Sequence, residues 1–217
     1  GVFDKVIAEC KKAKVKYFIL EGIQPNPRLS SVYKGIEICK NENIDFLLAV
    51  GGGSVIDAAK AIALGACYDG DVWDFYEHKA KPEKALSLGS VLTLAATGSE
   101  MNGNSVITKE ETQRKLAVGY YILYPQFSIL DPEYTYTVNA YHTAAGIADI
   151  MAHIFEQYFS HTQATDVQDR IAEGLLKVCI KYGPIAIQEP NNYEARANIL
   201  WAGTLALNSL IGNGKIQ

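Results

Sequence analysis

Two side chains four residues apart, Asp149 and His153, have types and a spacing that allow both to bind one divalent metal ion. On a helix, residues at i and i+4 lie on one face, so a carboxylate oxygen and an imidazole nitrogen can bind the same ion. A hydrogen bond or an ion pair on a helix surface also explains the spacing, and two ligands fill only half of a metal shell. On the residues alone the simple pair is favoured, although the apolar neighbours argue against a fully solvated pair.

Three glycines at 51–53, which we call the glycine turn, are followed by Ser54 and lie between an apolar run at 46–50 and a helical pattern. Backbone N–H groups and the positive end of the helix dipole meet there, and successive positions without side chains let a phosphate approach the backbone. A capping box formed by Ser54 and Asp57 is the simpler alternative, but it does not require three glycines. We therefore expect an anion site, although the motif matches neither G-x-G-x-x-G nor a P-loop.

A second candidate turn, residues 93–100, carries hydroxyl side chains directly after a predicted buried strand. It reads Thr-Leu-Ala-Ala-Thr-Gly-Ser-Glu, and we call it the hydroxyl turn. In an open parallel sheet the carboxyl ends of the strands face the ligand crevice, so the hydroxyl turn and the glycine turn can serve one ligand. Threonine, glycine and serine are also common in ordinary loops, so two such turns argue for a ligand more strongly than this one alone.

Composition and the remaining motifs exclude several other classes of protein. The 217 residues carry 20 basic and 24 acidic side chains, a net charge of −4 that provides no basic surface for nucleic acid. No apolar run reaches the roughly 18 residues of a membrane span. Hydrolase chemistry has no support, because the sequence contains neither a G-x-S-x-G elbow nor a supported cysteine–histidine pair. The cysteines lie far apart without a C-x-x-C pair, which is typical of reduced core residues in a cytoplasmic protein.

The elements that position these residues are predicted from hydrophobic periodicity. Short apolar runs alternate with helical patterns over the first part of the chain, which is typical of βαβ units and a parallel sheet covered on both faces. Two runs on either side of a polar turn at 109–112 are expected to pair as a hairpin. The predicted strands are 17–20, 46–50, 91–94, 105–108, 115–118 and 127–130, and the predicted helices are 4–14, 30–43 and one starting near residue 54.

Beyond residue 138 every periodic segment is helical. The predicted helices are 144–159, 167–182 and 194–211. Gly183-Pro184 is expected to end the second of them. This change of pattern predicts a Rossmann-like α/β domain over residues 1–137 and a helical domain over 138–217. Because such an α/β fold normally opens on a strand and this chain opens on a helix, without Met, we expect a fragment that lacks both ends of a longer protein.

Four stretches spread across the chain resemble the iron-containing alcohol dehydrogenases, and especially their NADP-preferring butanol dehydrogenase and aldehyde reductase branch. The stretches are 51–60 (GGGSVIDAAK), 92–100 (LTLAATGSE), 130–135 (LDPEYT) and 146–156 (GIADIMAHIFE). The resemblance implies a dehydroquinate synthase-like architecture, in which a dinucleotide binds in the cleft between an N-terminal α/β domain and a C-terminal helical domain.

The resemblance also implies roles for individual residues. The positions implied to bind NAD or NADP are Gly52, Gly53 and Ser54, with Asp57 nearby, the hydroxyl-turn residues Thr93 and Thr97, and Asn26, Asn104 and Lys115. Asp149 and His153 match the first two of four metal ligands, which reverses the preference for a simple pair and implies iron or zinc. No side chain is assigned as a catalytic proton relay.

The implied reaction moves a hydride between NAD or NADP and a primary alcohol/aldehyde pair such as butanol and butanal. The alternatives are a glycerol dehydrogenase, a dehydroquinate synthase-like enzyme, or a nucleotide-binding fragment without chemistry. We expect a cytoplasmic homo-oligomer, a dimer, that acts on a small-molecule alcohol or aldehyde and has no nucleic-acid or membrane partner. We expect the fragment itself to be inactive, because it holds half of a metal site.

Overall fold

The structure is a computed structural model that describes residues 1–215. Its helices are α1 (Val2–Lys12), α2 (Leu29–Glu42), α3 (Gly53–Ala66), α4 (Trp73–Tyr76), α5 (Ala140–Tyr158), α6 (Asp166–Gln188) and α7 (Tyr193–Ala206). Its strands are β1 (Phe46–Gly51), β2 (Ser87–Leu92), β3 (Asn104–Lys109), β4 (Arg114–Gly119) and β5 (Phe127–Ile129). Three short 3-10 helices cover Ser99–Met101, Tyr121–Leu123 and Pro132–Thr135.

The chain divides into two compact units. The first contains Gly1–Val91 and Gly103–Ser128, and the second contains Leu92–Asn102 and the chain from Ile129 onward. Residues 92–102 and 129–137, which the sequence prediction places in the α/β domain, therefore fall in the second unit. Within residues 1–215, no helix combines the length and the apolar character needed to cross a membrane.

The first unit contains the sheet and the hairpin that the sequence predicts. Strands β1, β2 and β5 form a parallel sheet in that order, which confirms the predicted α/β class. Strands β3 and β4 pair antiparallel, with Asn104 opposite Gly119 and Lys109 opposite Arg114. β2 begins and ends earlier than predicted, so Thr93 follows the strand instead of lying within it.

Helices α2 and α3 pack closely in the first unit because each presents a glycine to an isoleucine of the other. Gly35 of α2 lies against Ile62, and Gly65 of α3 lies against Ile36. The core beside this contact is apolar and aromatic, with Val32, Leu64 and Tyr76 almost completely buried. This packing fixes α3, the helix that follows the glycine turn.

The predicted strand at 17–20 is wrong, since residues 15–24 have no regular secondary structure. The side chains of Phe18 and Ile19 are 40% and 44% exposed, whereas Leu20 packs against the core of the first unit. A strand exists only through hydrogen bonds to a neighbouring strand. Apolar character predicts burial of a segment but does not supply that partner.

The second unit is built from α5, α6 and α7. Its core contains Ile150 and Ile154 of α5, Cys179 of α6 and Ala202 of α7. The prediction that Gly183-Pro184 ends the middle helix is wrong, because α6 continues to Gln188. Proline removes one helical hydrogen bond, but burial of Ala186 and the contact of Gly183 with Ile147 hold the last turns against the core.

We predict that Gly65→Ala destabilises the first unit. The added methyl would lie 2.8 Å from Ile36 Cγ1 and 3.1 Å from Val72 Cβ, an overlap that costs about 1–3 kcal/mol of unfolding free energy. Gly174→Ala is the matched control, because no atom lies within 4 Å of a methyl there and alanine favours a helix over glycine by about 1 kcal/mol. Urea unfolding monitored by circular dichroism measures both; equal stability of the two variants would contradict the packing described for α2 and α3.

Candidate functional site

The glycine turn lies between the end of β1 and the start of α3. Gly52 occupies the N-cap position of α3, and no side chain caps that helix end. The capping box considered for Ser54 and Asp57 is therefore not formed. The first N–H groups of a helix need acceptors, and the helix dipole favours a negative one. This uncapped end of α3 has the chemistry of an anion-binding site.

Asp57 points toward the hairpin of the first unit. Its Oδ2 accepts a hydrogen bond of 3.0 Å from the Val106 backbone N–H, and its backbone oxygen accepts one of 2.8 Å from the Ser105 hydroxyl. The fully buried Lys60, one turn later on α3, donates a 2.8 Å hydrogen bond to the Asn104 backbone oxygen. Asp57 and Lys60 thus attach α3 to β3 and fix the exposed Asn104 at the start of that strand.

Asn26 and Lys115 are 89 positions apart in the sequence and meet in the structure. The ammonium group of Lys115, on β4, donates a 2.7 Å hydrogen bond to Asn26 Oδ1. Asn26 has a left-handed backbone with a φ of 56°, and the following Pro27 accepts a hydrogen bond of 2.9 Å from the Thr108 N–H. The exposed pair presents one positive charge and one amide, groups suited to phosphate and hydroxyl oxygens.

In the second unit, the hydroxyl turn contains a buried polar atom without a partner. The Thr97 hydroxyl oxygen is buried and makes no hydrogen bond to any residue that the structure describes. Leaving a buried hydroxyl unpaired costs about 1–3 kcal/mol. Thr93 follows β2 and is half-buried. The orphaned hydroxyl of Thr97 fits a turn that binds a ligand.

Asp149 and His153 lie together on α5, as the sequence spacing predicts. Nε2 of His153 is 3.6 Å from Asp149 Oδ2, and the side chains are 23% and 42% exposed respectively. That distance exceeds a hydrogen bond, and the buried Nε2 has no hydrogen-bond partner in the described part of the chain. The neighbouring Asp149 carboxylate raises the pKa of His153, against the opposing effect of burial.

This pair fits a metal ion, because the unpartnered imidazole nitrogen and a carboxylate oxygen are the donors that zinc and iron accept. Residues 1–215 contain no cluster of three or more histidine, cysteine, aspartate and glutamate side chains that could hold an ion. Asp149 and His153 could therefore supply two ligands, and a metal bound there would require more. Glu156 is the next carboxylate, with its Oε2 4.0 Å from His153 Nδ1.

Comparison with known proteins relates this chain to one family. A family model described as iron-containing alcohol dehydrogenase matches residues 1–132, and one described as Fe-containing alcohol dehydrogenase family, C-terminal, matches residues 143–215. The chain is 51% identical to NADH-dependent butanol dehydrogenase A of Clostridium acetobutylicum over 99% of the chain and 55% of that protein. It is 42% identical to NADPH-dependent aldehyde reductase YqhD of Escherichia coli over its full length and 56% of that protein.

The fold matches solved structures equally well. The crystal structure of NADH-dependent butanol dehydrogenase A from Thermotoga maritima superposes with a TM-score of 0.97 and 43% identity over all of this chain and 54% of that one. The chain spans about half the length of the curated relatives that it matches. The resemblance found in the four sequence stretches is confirmed, and the chain belongs to the iron-containing alcohol dehydrogenase family.

Proposed function

We propose that the protein containing this chain is a metal-dependent oxidoreductase that moves a hydride between NAD or NADP and a primary alcohol/aldehyde pair such as butanol and butanal. The observation that carries the proposal is the buried, unpartnered Nε2 of His153 beside the Asp149 carboxylate. The printed names of relatives, butanol dehydrogenase and aldehyde reductase, support the substrate class. Because one of these relatives is named as NADH-dependent and the other as NADPH-dependent, the proposal includes either dinucleotide as the cofactor.

Asp149 and His153 would hold the metal, and their imidazole and carboxylate donors suit both iron and zinc. When bound, a metal of this kind supplies a Lewis acid for the substrate oxygen, and the nicotinamide supplies or accepts the hydride. For Nε2 of His153 to act as a ligand, the imidazole must be neutral with its proton on Nδ1. Partial burial favours that neutral form of the ring, whereas the Asp149 charge disfavours it.

The phosphates of the dinucleotide would bind to the first unit. The uncapped start of α3, with Gly52, Gly53 and Ser54, offers backbone N–H groups and the helix dipole to the pyrophosphate. Lys115, oriented by Asn26, adds a positive charge in the same unit. Asn104 at the start of β3 and, in the second unit, Thr93 and Thr97 are proposed as further contacts to the cofactor.

A nucleotide-binding module without chemistry is the second candidate function. Its support is the metal pair itself, since within residues 1–215 only two candidate ligands come together and a catalytic shell needs at least three protein ligands. The two candidates differ in one observable. Tight binding of NADPH without turnover of butanal by the protein would favour the binding module, and turnover would favour the oxidoreductase.

We further propose a cytoplasmic homodimer. The four cysteines are free thiols, which fits a reducing compartment. Several large apolar side chains are exposed on the second unit, Phe159 at 70% and Trp201 at 52% among them, and exposed apolar groups of this size favour association. Light scattering during gel filtration measures the mass of the assembly.

We predict that Asp149→Ala or His153→Ala removes most of the metal affinity, because each variant deletes one of the two donors on α5. Loss of a residue that only supports a metal ligand already lowers metal affinity about 10–100-fold. We therefore expect loss of a ligand itself to lower metal affinity by at least about 100-fold. Titration calorimetry with Zn²⁺ measures the affinity, and NADPH oxidation with butanal measures activity. His142→Ala on the same helix is the exposed control; full metal content and full rate in the Asp149 and His153 variants would contradict the metal assignment.

We predict that Thr97→Val stabilises the ligand-free protein while weakening NADPH binding. Valine has nearly the same shape and removes an unpaired buried hydroxyl, so unfolding free energy rises by about 1 kcal/mol. Loss of one hydrogen bond to the cofactor raises the Kd about tenfold. Thr204→Val is the control, since that buried hydroxyl donates to Glu100 Oε1 at 2.5 Å and its loss should destabilise. Urea unfolding and NADPH fluorescence titration measure both quantities; weaker stability with unchanged NADPH affinity in Thr97→Val would contradict the role of Thr97.

A further inference from the structure

In the second unit, two helices contact the backbone of the hydroxyl turn through glycines. On α5, a methyl group at Gly146 would overlap the carbonyl oxygen of Ala95. On α7, a methyl group at Gly203 would lie 3.6 Å from the Ala96 carbonyl oxygen. Gly98 has a φ of +59° and lies so close to α7 that a methyl there would be 3.0 Å from the Gly203 carbonyl oxygen. The turn is therefore held between α5 and α7 at backbone distance.

Buried polar contacts fix the turn in this position. The Asn102 side-chain amide donates hydrogen bonds of 3.0 Å to the backbone oxygens of Gly98 and Leu207. Glu100 accepts a hydrogen bond of 2.5 Å from Thr204 of α7. Asn102 and Glu100 are 3% and 4% exposed, respectively. Because water does not compete for these groups, the contacts hold the turn in one conformation.

The contact point on α5 faces the same way as the metal pair. Asp149 and His153 follow Gly146 by three and seven residues, which places the three positions within about 60° of one another around the helix axis. Gly146 is therefore the point at which the ligand-bearing side of α5 rests on the turn that carries Thr97. The closeness of this contact sets the distance from the turn to Asp149 and His153.

We propose that Gly146 is a positioning residue for the reaction: it sets the separation between the metal ligands on α5 and the cofactor-binding hydroxyl turn. The inference rests on the proposed function. A methyl group at this position requires α5 to move away from Ala95 by roughly 1 Å. Misplacement of reacting groups by that distance can lower the rate about 100-fold, even when the mutation itself is far from the reacting atoms. Asp149 and His153 lie on one helix and move together, so their mutual geometry is preserved.

The test is Gly146→Ala in the protein that contains this chain, with Gly174→Ala on α6 as the control for a glycine-to-alanine change in a helix. The measurements are kcat and KM for butanal with NADPH, the Kd of NADPH by fluorescence, the affinity for Zn²⁺ by calorimetry, and the Tm. For Gly146→Ala we expect kcat to fall about 100-fold, while the Kd of NADPH stays within about threefold of the unmodified protein and Zn²⁺ remains bound. For Gly174→Ala we expect no change in kcat.

A fall in kcat while NADPH affinity is retained and Zn²⁺ remains bound is the result that a purely structural role does not produce. An unchanged kcat in Gly146→Ala, or a loss of Zn²⁺ and NADPH binding in parallel with the Tm, would overturn the inference. An unmodified protein without turnover contradicts the proposed function and this inference with it, whereas the same kcat in the unmodified protein and in Gly146→Ala contradicts the inference alone.

A second variant keeps the test informative if Gly146→Ala does not fold. Asn102→Ser removes the amide that donates to Gly98 and Leu207 but adds no atom against α5. For Asn102→Ser we expect a smaller fall in kcat, of about tenfold, while NADPH and Zn²⁺ still bind. If Asn102→Ser keeps the full kcat, the hydroxyl turn does not need to be held in place, and the inference is wrong.

Discussion

Buried polar atoms require partners, and this requirement explains how the second unit is built. In the described part of the chain, four buried side-chain atoms have none: Trp73 Nε1, Thr97 Oγ1, His153 Nε2 and Ser160 Oγ. Two of the four belong to residues that the sequence resemblance assigns to cofactor and metal. The same unit satisfies Asn102 and Glu100 with hydrogen bonds of 3.0 and 2.5 Å. It leaves Thr97 and His153 unsatisfied, and a bound ligand would supply their missing partners.

The two units hold their candidate ligand-binding turns in place by different contacts. In the first unit, hydrogen bonds of Asp57 and Lys60 attach the first turns of α3 to β3. These bonds hold the uncapped start of α3 in place. In the second, glycines allow α5 and α7 to touch the hydroxyl turn directly. Both arrangements place backbone or unpaired polar groups at a rigid location before any ligand binds. Such preorganisation reduces the entropy cost of binding.

Local patterns predicted much of this fold and part of the site. The hairpin at Asn104 to Gly119 and the strand before the glycine turn follow from short apolar runs bounded by turn residues. The shared face of Asp149 and His153 follows from the helical period of 3.6 residues. The strand at 17–20 was wrong because a strand depends on a partner that periodicity does not reveal. The continuation of α6 past Pro184 was missed because tertiary packing outweighs a local helix breaker. The Asn26–Lys115 contact and the burial of Asn102 are long-range, and no local signal marks them.

The metal interpretation of Asp149 and His153 came from resemblance and not from spacing, since a simple ion pair explains the spacing equally well. The most direct measurement is anomalous diffraction at the metal edge from crystals of the protein grown with Zn²⁺ or Fe²⁺. We expect a peak about 2.0–2.2 Å from His153 Nε2 and from an Asp149 carboxylate oxygen. Crystals that contain the metal but place its anomalous peak away from both side chains would contradict the assignment.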